Sequence, residues 1–331
     1  HRTQTVGALR GGVKTLVSRR GVTILTGTAT LKSATTVEVA GASAGTYSAG
    51  KILLATGSKP ASFASIPFNG ASVVSSDEAI AFEKTPSKLV VVGGGAIGLE
   101  LGQVWSRLGA EVTILEFLPQ IAAGYDADVA AVLEKALIKR GLKIFTSTRV
   151  EDFKGGFVQA SREGEPLRFE AERVLVAVGR VPNADGLGLA EAGVALSSRG
   201  RVVVNENFET SLKGVYAIGD LIEGPMLAHK AEEEGSAFAE SLKTGHLHYD
   251  RNLIPAVIYT DPEVASVGQT ERALTEKNIP FKVGKFSYSA NGRALASHSS
   301  EGFVKVISHA QTDRLLGVQI IGQGASELIA A

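Results

Sequence analysis

The stretch KLVVVGGGAIGLELGQVWSRLGAEVTILE, Lys88 to Glu116, decides how this chain is to be read. Four apolar residues in a row, Leu89 to Val92, describe a strand buried on both faces. The run breaks on three glycines and resumes as a helix, with Ile97, Leu101, Val104 and Leu108 expected on its inner face. Gly109 ends the helix, and EVTIL forms a second strand. Strand, glycine turn, helix and strand within about 30 residues are a parallel crossover unit. Gly93-Gly94-Gly95-Ala96-Ile97-Gly98 fits G-x-G-x-x-G at the one place where that pattern has mechanical meaning. Gly93 permits the tight turn, Gly95 lets backbone approach a pyrophosphate, and Gly98 lets helix and strand close. The helix start, with Leu99 and Glu100 in its first turns, offers unpaired N–H groups and partial positive charge to phosphates. Glu116 ends the second strand, where an acid accepts hydrogen bonds from an adenosine ribose. The next residues, Phe117-Leu118-Pro119, supply no base for a 2′-phosphate, so NAD is expected over NADP.

Working outward, the α/β pattern continues through DADVAAVLEKALIKRG, a helix opened by Asp126 and stopped by Gly141, into a third strand, LKIF. Upstream, residues 2–20 suit an amphipathic helix with Val6, Leu9, Val13, Leu16 and Val17 on one face. A meander of short strands follows, to Thr56, and then a Pro- and Ser-rich connector. Downstream of Leu253, alternating strands with one short helix describe an antiparallel sheet. GVQIIGQGASE imitates the fingerprint but carries Glu327 in place of its third glycine; an acid opposes phosphate, so a structural turn is expected.

Two further strand ends carry polar residues. LLATGSKP (Leu53 to Pro60) and GVYAIGDL (Gly214 to Leu221) both leave an apolar strand through a glycine, the second onto Asp220. Neither opens a glycine helix, so both suit backbone and carboxylate contacts to a polyol-like part of another ligand.

Composition narrows the class. The 331 residues are 44% apolar, enough for two or three cores. Lys+Arg and Asp+Glu, 34 each, cancel, so neither nucleic acid nor an anionic membrane surface is an expected partner. No apolar run reaches the roughly 20 residues of a membrane span. Cysteine is absent, which removes thiolate chemistry and Cys-bound metals from these residues, and no metal site is expected.

Six segments occur together and in order: ATGSKP, VVVGGGAIGLELG, VAVGRVPN, GVYAIGD, GPMLAHKAEEEG and IYTDPEVASVG. Together they resemble the flavoprotein disulfide oxidoreductases over essentially the whole chain. The last two resemble the branch that oxidises dihydrolipoamide; glutathione, mercuric and trypanothione reductases share the layout and differ in these segments. The resemblance implies a doubly wound α/β NAD-binding domain (67–183) inserted in an FAD-binding domain (1–66 and 184–250), followed by an α+β dimer-interface domain (251–331). It implies FAD and NAD as cofactors, a homodimer, and lipoyl domains of 2-oxoacid dehydrogenase or glycine cleavage complexes as partners, in bacterial cytoplasm or mitochondrial matrix. Gly93, Gly94, Gly95, Ala96, Ile97, Gly98, Leu99, Glu100, Glu116, Val150 and Gly179 are implied at the NAD site. Ala29, Thr56, Gly57, Ser58, Asp220, Met226, Leu227, Ala228 and His229 are implied at FAD. Glu100 is expected to support the reacting rings, pairing with a lysine upstream of this chain. The family's FAD fingerprint, redox cysteines and C-terminal His-Glu pair are not found here, so the chain is expected to be an internal portion of the enzyme. Two alternatives stay open: a cysteine-free relative such as a soluble pyridine nucleotide transhydrogenase, and a non-catalytic nucleotide-binding or scaffold protein.

Overall fold

The computed structural model describes residues 2–330. Contacts divide the chain into two units, residues 1–57 with 182–223, and residues 58–181 with 224–331. The division places 224–250 with the second unit, where the sequence reading grouped it with the returning FAD segment.

In the first unit, the helix Arg2–Arg19 has no buried residue, and Leu9, Val13 and Leu16 of its expected inner face are exposed. Three antiparallel strands, Thr28–Ser33, Thr36–Ala40 and Gly45–Ser48, form the meander. The two polar-ended strands meet here. Ile52–Leu54 pairs in parallel with Val215–Ala217, and the Ile218 N–H extends the pairing by donating to the Leu54 carbonyl at 3.1 Å.

The second unit is built on a five-stranded parallel sheet. Its order is Val73–Val74, Arg173–Val176, Lys88–Val92, Glu111–Leu115, Lys143–Phe145. The quoted strand lies at the centre, and Leu89 to Val92 are buried as the unbroken apolar run requires. The helix Ala96–Arg107 crosses to the next strand, Glu111–Leu115. A three-stranded antiparallel sheet, Thr148–Lys154, Phe157–Arg162 and Glu165–Glu170, packs through Val150, Val158 and Ala160 against Val90, Val92, Leu115 and Val174 of the parallel sheet. Beyond residue 254 the chain forms a five-stranded antiparallel sheet, as expected. Its Ile258, Val264, Phe303 and Ile321 share one core with the parallel sheet.

The glycine helix buries a different face from the one its apolar spacing suggests. Val104 and Leu108 are exposed, while Leu99, Gly102, Gln103 and Trp105 are buried. Close approach explains the inversion. A Cβ on Gly98 would lie 2.0 Å from the Gly93 carbonyl oxygen, and one on Gly102 would touch Ile114 and Val112. The glycine face therefore lies on the strands, and Val104 and Leu108 are rotated away. Trp105 fills the remaining space: its Nε1–H donates to the Ala79 carbonyl at 3.0 Å, and its ring meets Phe82 at 5.2 Å. Trp105→Ala is expected to cost about 3–5 kcal/mol. Thermal unfolding should show it as a fall of roughly 10 °C.

The second glycine pair behaves as a turn. Gly322 (φ 146°) and Gly324 (φ 76°) follow the strand Leu315–Ile321, and the next helix has four residues, Ala325–Leu328. A Cβ at 322 would strike the Tyr288 ring at 2.3 Å, so packing accounts for that glycine.

Candidate functional site: a dinucleotide cleft

The glycine turn holds its shape by close contacts at two of its glycines. Gly93 has φ 112°, and a Cβ there would sit 2.4 Å from the Ala177 carbonyl oxygen. At Gly94 a Cβ would approach Ile121 Cγ2 at 2.9 Å. Gly95 differs: nothing lies within 4 Å of its Cβ position. It caps the helix with no side chain, and the first bond of the helix is Leu99 N–H to the Gly95 carbonyl at 3.0 Å. The N–H groups of Ala96, Ile97 and Gly98 therefore precede any intrahelical acceptor, beside open space.

That space belongs to a cleft of about 1260 Å³ within the second unit. Gly93, Gly94, Gly95, Ala96, Ile97, Glu100, Glu116, Val150 and Gly179 line it, together with Met226, Leu227, Ala228 and His229. Residues expected at two cofactors thus share one cleft. Two expected NAD contacts do not line it. Gly98 lies beneath the turn, where it permits the close approach to Gly93. Leu99 is fully buried in the core, with its N–H already bonded to Gly95, so its assignment as a cofactor contact is corrected.

Glu116 does more than end a strand. One carboxylate oxygen accepts from the Gly94 N–H at 2.5 Å and the other from the Leu118 N–H at 2.7 Å. The acid ties the glycine turn to the loop that follows it. Each oxygen keeps a further lone pair for a hydroxyl from the cleft. Glu100 is partly buried, and one oxygen accepts the Tyr259 N–H at 2.9 Å. Burial pushes its carboxyl above the usual carboxylate range, and the Tyr259 bond only partly offsets this. A cation brought beside it would be held strongly, because water solvates that carboxylate poorly.

The cleft is also lined by the start of another helix, Ala228–Thr244, whose N-cap Leu227 has no side-chain acceptor to offer its N–H groups. Its first bond is Ala231 N–H to the Leu227 carbonyl, so the Ala228 and His229 N–H groups stand ahead of the helical ladder. His229 Nε2 lies 2.5 Å from the Pro255 carbonyl.

In the first unit, Thr56, Gly57 and Asp220 follow the C-terminal ends of the same two paired strands. Ends of parallel strands are where α/β folds bind ligands. Ala29 lies on the neighbouring hairpin strand, paired with Val39. Ser58 belongs to the second unit, where its hydroxyl accepts from Arg180 Nε at 2.7 Å.

Sequence reasoning missed Arg149, Arg180, Phe117 and Tyr259 as cleft residues. Val150 carried the one available signal for its neighbour Arg149. Thr148 N–H bonds the Glu116 carbonyl at 2.8 Å, which brings this arginine's strand to the acid. The absence of a base after Glu116 in sequence therefore does not make that end of the cleft free of cations.

A glycine turn with waiting N–H groups, an acid at the strand end and the start of a second uncapped helix thus line one cleft. The chain belongs to the pyridine nucleotide-disulphide oxidoreductase family, whose profile matches residues 2–235, with the family's dimerisation domain over residues 254–331. It is 43% identical to the mitochondrial dihydrolipoyl dehydrogenase of Caenorhabditis elegans, over 99% of this chain and 68% of that protein. It is 44% identical to the dihydrolipoamide dehydrogenase of Chaetomium thermophilum, over 99% of this chain and 67% of the relative. Among solved structures, LpdA from Mycobacterium tuberculosis superposes with a TM-score of 0.88 at 27% identity, over 99% of this chain and 74% of that one.

Proposed function

We propose that this chain carries the nicotinamide side of a dihydrolipoamide dehydrogenase, an FAD-dependent enzyme that passes electrons from dihydrolipoamide to NAD+. The observation that carries the reading is the glycine cradle. Gly95 leaves open space at its Cβ, three N–H groups await an acceptor, and Glu116 lies at the same turn. These groups match a pyrophosphate flanked by a ribose diol, so the residues present fit NAD.

The N–H groups of Ala96, Ile97 and Gly98, with the positive helix end, would hold the pyrophosphate, while Gly93, Gly94 and Gly95 shape the turn, the Gly93 and Gly94 N–H groups being bonded to Leu115 and Glu116. The free lone pairs of Glu116 would take the adenosine ribose hydroxyls, with Val150 and Gly179 lining the same cleft. When bound, the flavin and nicotinamide rings supply hydride transfer. Glu100 supports the reacting end: Tyr259 orients its carboxylate, and its poor solvation favours a nearby cation. Met226 to His229 suit the flavin wall, where the Ala228 and His229 N–H groups can meet a polar ring edge. Asp220, with Thr56 and Gly57, suits the sugar-alcohol chain of FAD, with Ala29 as a further contact in the same unit. The 331 residues contain no cysteine, so no residue here is assigned to the dithiol step.

The dimerisation domain supports a homodimer. The partners we assign are the lipoyl domains and core of 2-oxoacid dehydrogenase or glycine cleavage complexes, in bacterial cytoplasm or mitochondrial matrix. Among the described residues, no helix is long and apolar enough to cross a membrane.

The test is reduction of NAD+ by dihydrolipoamide, followed at the NADH absorbance, in the flavin-loaded enzyme that carries this chain. Dithiol-dependent NADH formation is the expected result. Hydride exchange between nicotinamides without any dithiol dependence would replace this reading with the transhydrogenase one.

A further inference from the structure

Residues 117–126 form the loop that leaves Glu116 and ends on Asp126, at the start of the helix Ala127–Lys139. Its near end is tied to the glycine turn. Gly94 and Leu118 donate to Glu116, and the Ala122 N–H donates to the Gly94 carbonyl at 2.8 Å. Ala122 has φ 47°, a left-handed conformation that a residue with a Cβ holds only when its surroundings impose it.

The far end of the loop is held by a second set of contacts. Asp126 makes no side-chain bond to its own helix. Its carboxylate instead takes Lys305 Nζ at 2.8 Å, Gln319 Nε2 at 2.5 Å and the Glu271 N–H at 3.2 Å. Gln319 Oε1 returns the contact by accepting the Asp126 N–H at 3.1 Å. Lys305 also reaches Asp128 at 2.8 Å and Glu271 at 2.7 Å, and Lys285 reaches Asp128 at 2.6 Å. Arg272 donates to the Ala123 carbonyl at 3.1 Å, holding the loop itself.

Lys305 is completely buried. Burial opposes its charge, but the hydrogen bonds it donates to Asp126, Asp128 and Glu271 outweigh this and leave its ammonium above the ordinary lysine value. A lysine on the antiparallel sheet therefore stays charged inside the protein and holds the end of a loop that borders the cleft.

We propose that Lys305 is a positioning residue for the dinucleotide site: it clamps Asp126 and so holds loop 117–126 against the glycine turn without touching the ligand. This rests on reading the cleft as the NAD site. The competing account is that the ion cluster only joins the antiparallel sheet to the parallel one. In that case its loss lowers stability and leaves affinity alone in protein that remains folded. Under the proposal, a loosened Asp126 frees Ala122 and blurs Gly94 and Glu116, which the ligand meets directly.

The experiment compares Lys305→Met and Arg272→Ala with wild type in the flavin-loaded enzyme. Arg272 is exposed, so its removal loosens the loop at Ala123 and leaves the buried ions in place. NADH affinity is read by fluorescence titration, and steady-state kinetics separate KM from kcat. Lys305→Met is expected to raise the NADH Kd and the KM for NAD+ about tenfold, because misplaced binding groups lose most of their contact energy. The KM for dihydrolipoamide, and kcat at saturating NAD+, should stay within about twofold, since only cofactor binding is touched. Arg272→Ala should weaken NADH about threefold, as the loss of one hydrogen bond to the loop. Folded Lys305→Met protein with wild-type NADH affinity overturns the proposal. If that variant does not fold, Arg272→Ala decides, and unchanged affinity there overturns it. Wild-type enzyme that fails to bind NADH refutes the reading of the cleft instead.

Discussion

Gly98→Ala is expected to weaken NADH binding severely and to lower stability, while Gly95→Ala weakens it as much at nearly full stability. The two glycines sit three residues apart in one turn and serve opposite sides of it. An alanine methyl at 98 would lie 2.0 Å from the Gly93 carbonyl oxygen and 3.1 Å from Val91 Cγ1. Backbone cannot yield there without moving the helix off the strand, at a cost of about 1–3 kcal/mol or more. The helix start moves with it, and the three waiting N–H groups lose their aim. At 95 the methyl meets nothing within 4 Å, and φ of −82° is ordinary for alanine. The methyl projects into the space a phosphate must enter. We expect a loss of at least about 100-fold in NADH affinity for either variant, the scale of several lost charge-assisted bonds. Fluorescence titration measures the affinity and thermal unfolding separates the pair. Gly95→Ala with intact NADH affinity would remove the pyrophosphate from this turn.

Glu116→Arg should weaken NADH binding roughly 10–100-fold, because it removes a charged acceptor worth about 1.5–3 kcal/mol. It also deprives the Gly94 and Leu118 N–H groups of their common acceptor, so the turn itself loosens. The variant should lose less affinity for NADPH than for NADH. A new arginine, with Arg149 already lining the cleft, gives a 2′-phosphate two cations where wild type presents an acid. The measurement is the ratio of NADH to NADPH dissociation constants in variant and wild type. An unchanged ratio would place the adenosine ribose away from residue 116.

Much of this was legible along the chain because it depends on near neighbours. A strand, a glycine turn and a helix lie within 20 residues, and the turn's geometry follows from which positions lack a Cβ. The failed mimic at Gly322 was legible for the same reason, as was the antiparallel sheet beyond residue 254. The buried face of the glycine helix was not. Its apolar spacing pointed to Val104 and Leu108, which are exposed, whereas glycines at 98 and 102 let the other face reach the sheet. Periodicity registers side chains that are present and is blind to contact made by their absence.

Residue order by itself determined the class of protein, the glycine turn between strand and helix, the acid at residue 116 and the strand ends at Thr56 and Asp220. Only the tertiary structure decided that Met226 to His229 line the same cleft as that turn, and that Arg149 and Tyr259 join it. It alone turned Asp126 from a helix cap into the partner of Lys305, 179 residues away. The physical reason is range: backbone conformation is set by neighbours a few residues apart, whereas a buried charge is stable only beside whichever opposite charge the fold delivers.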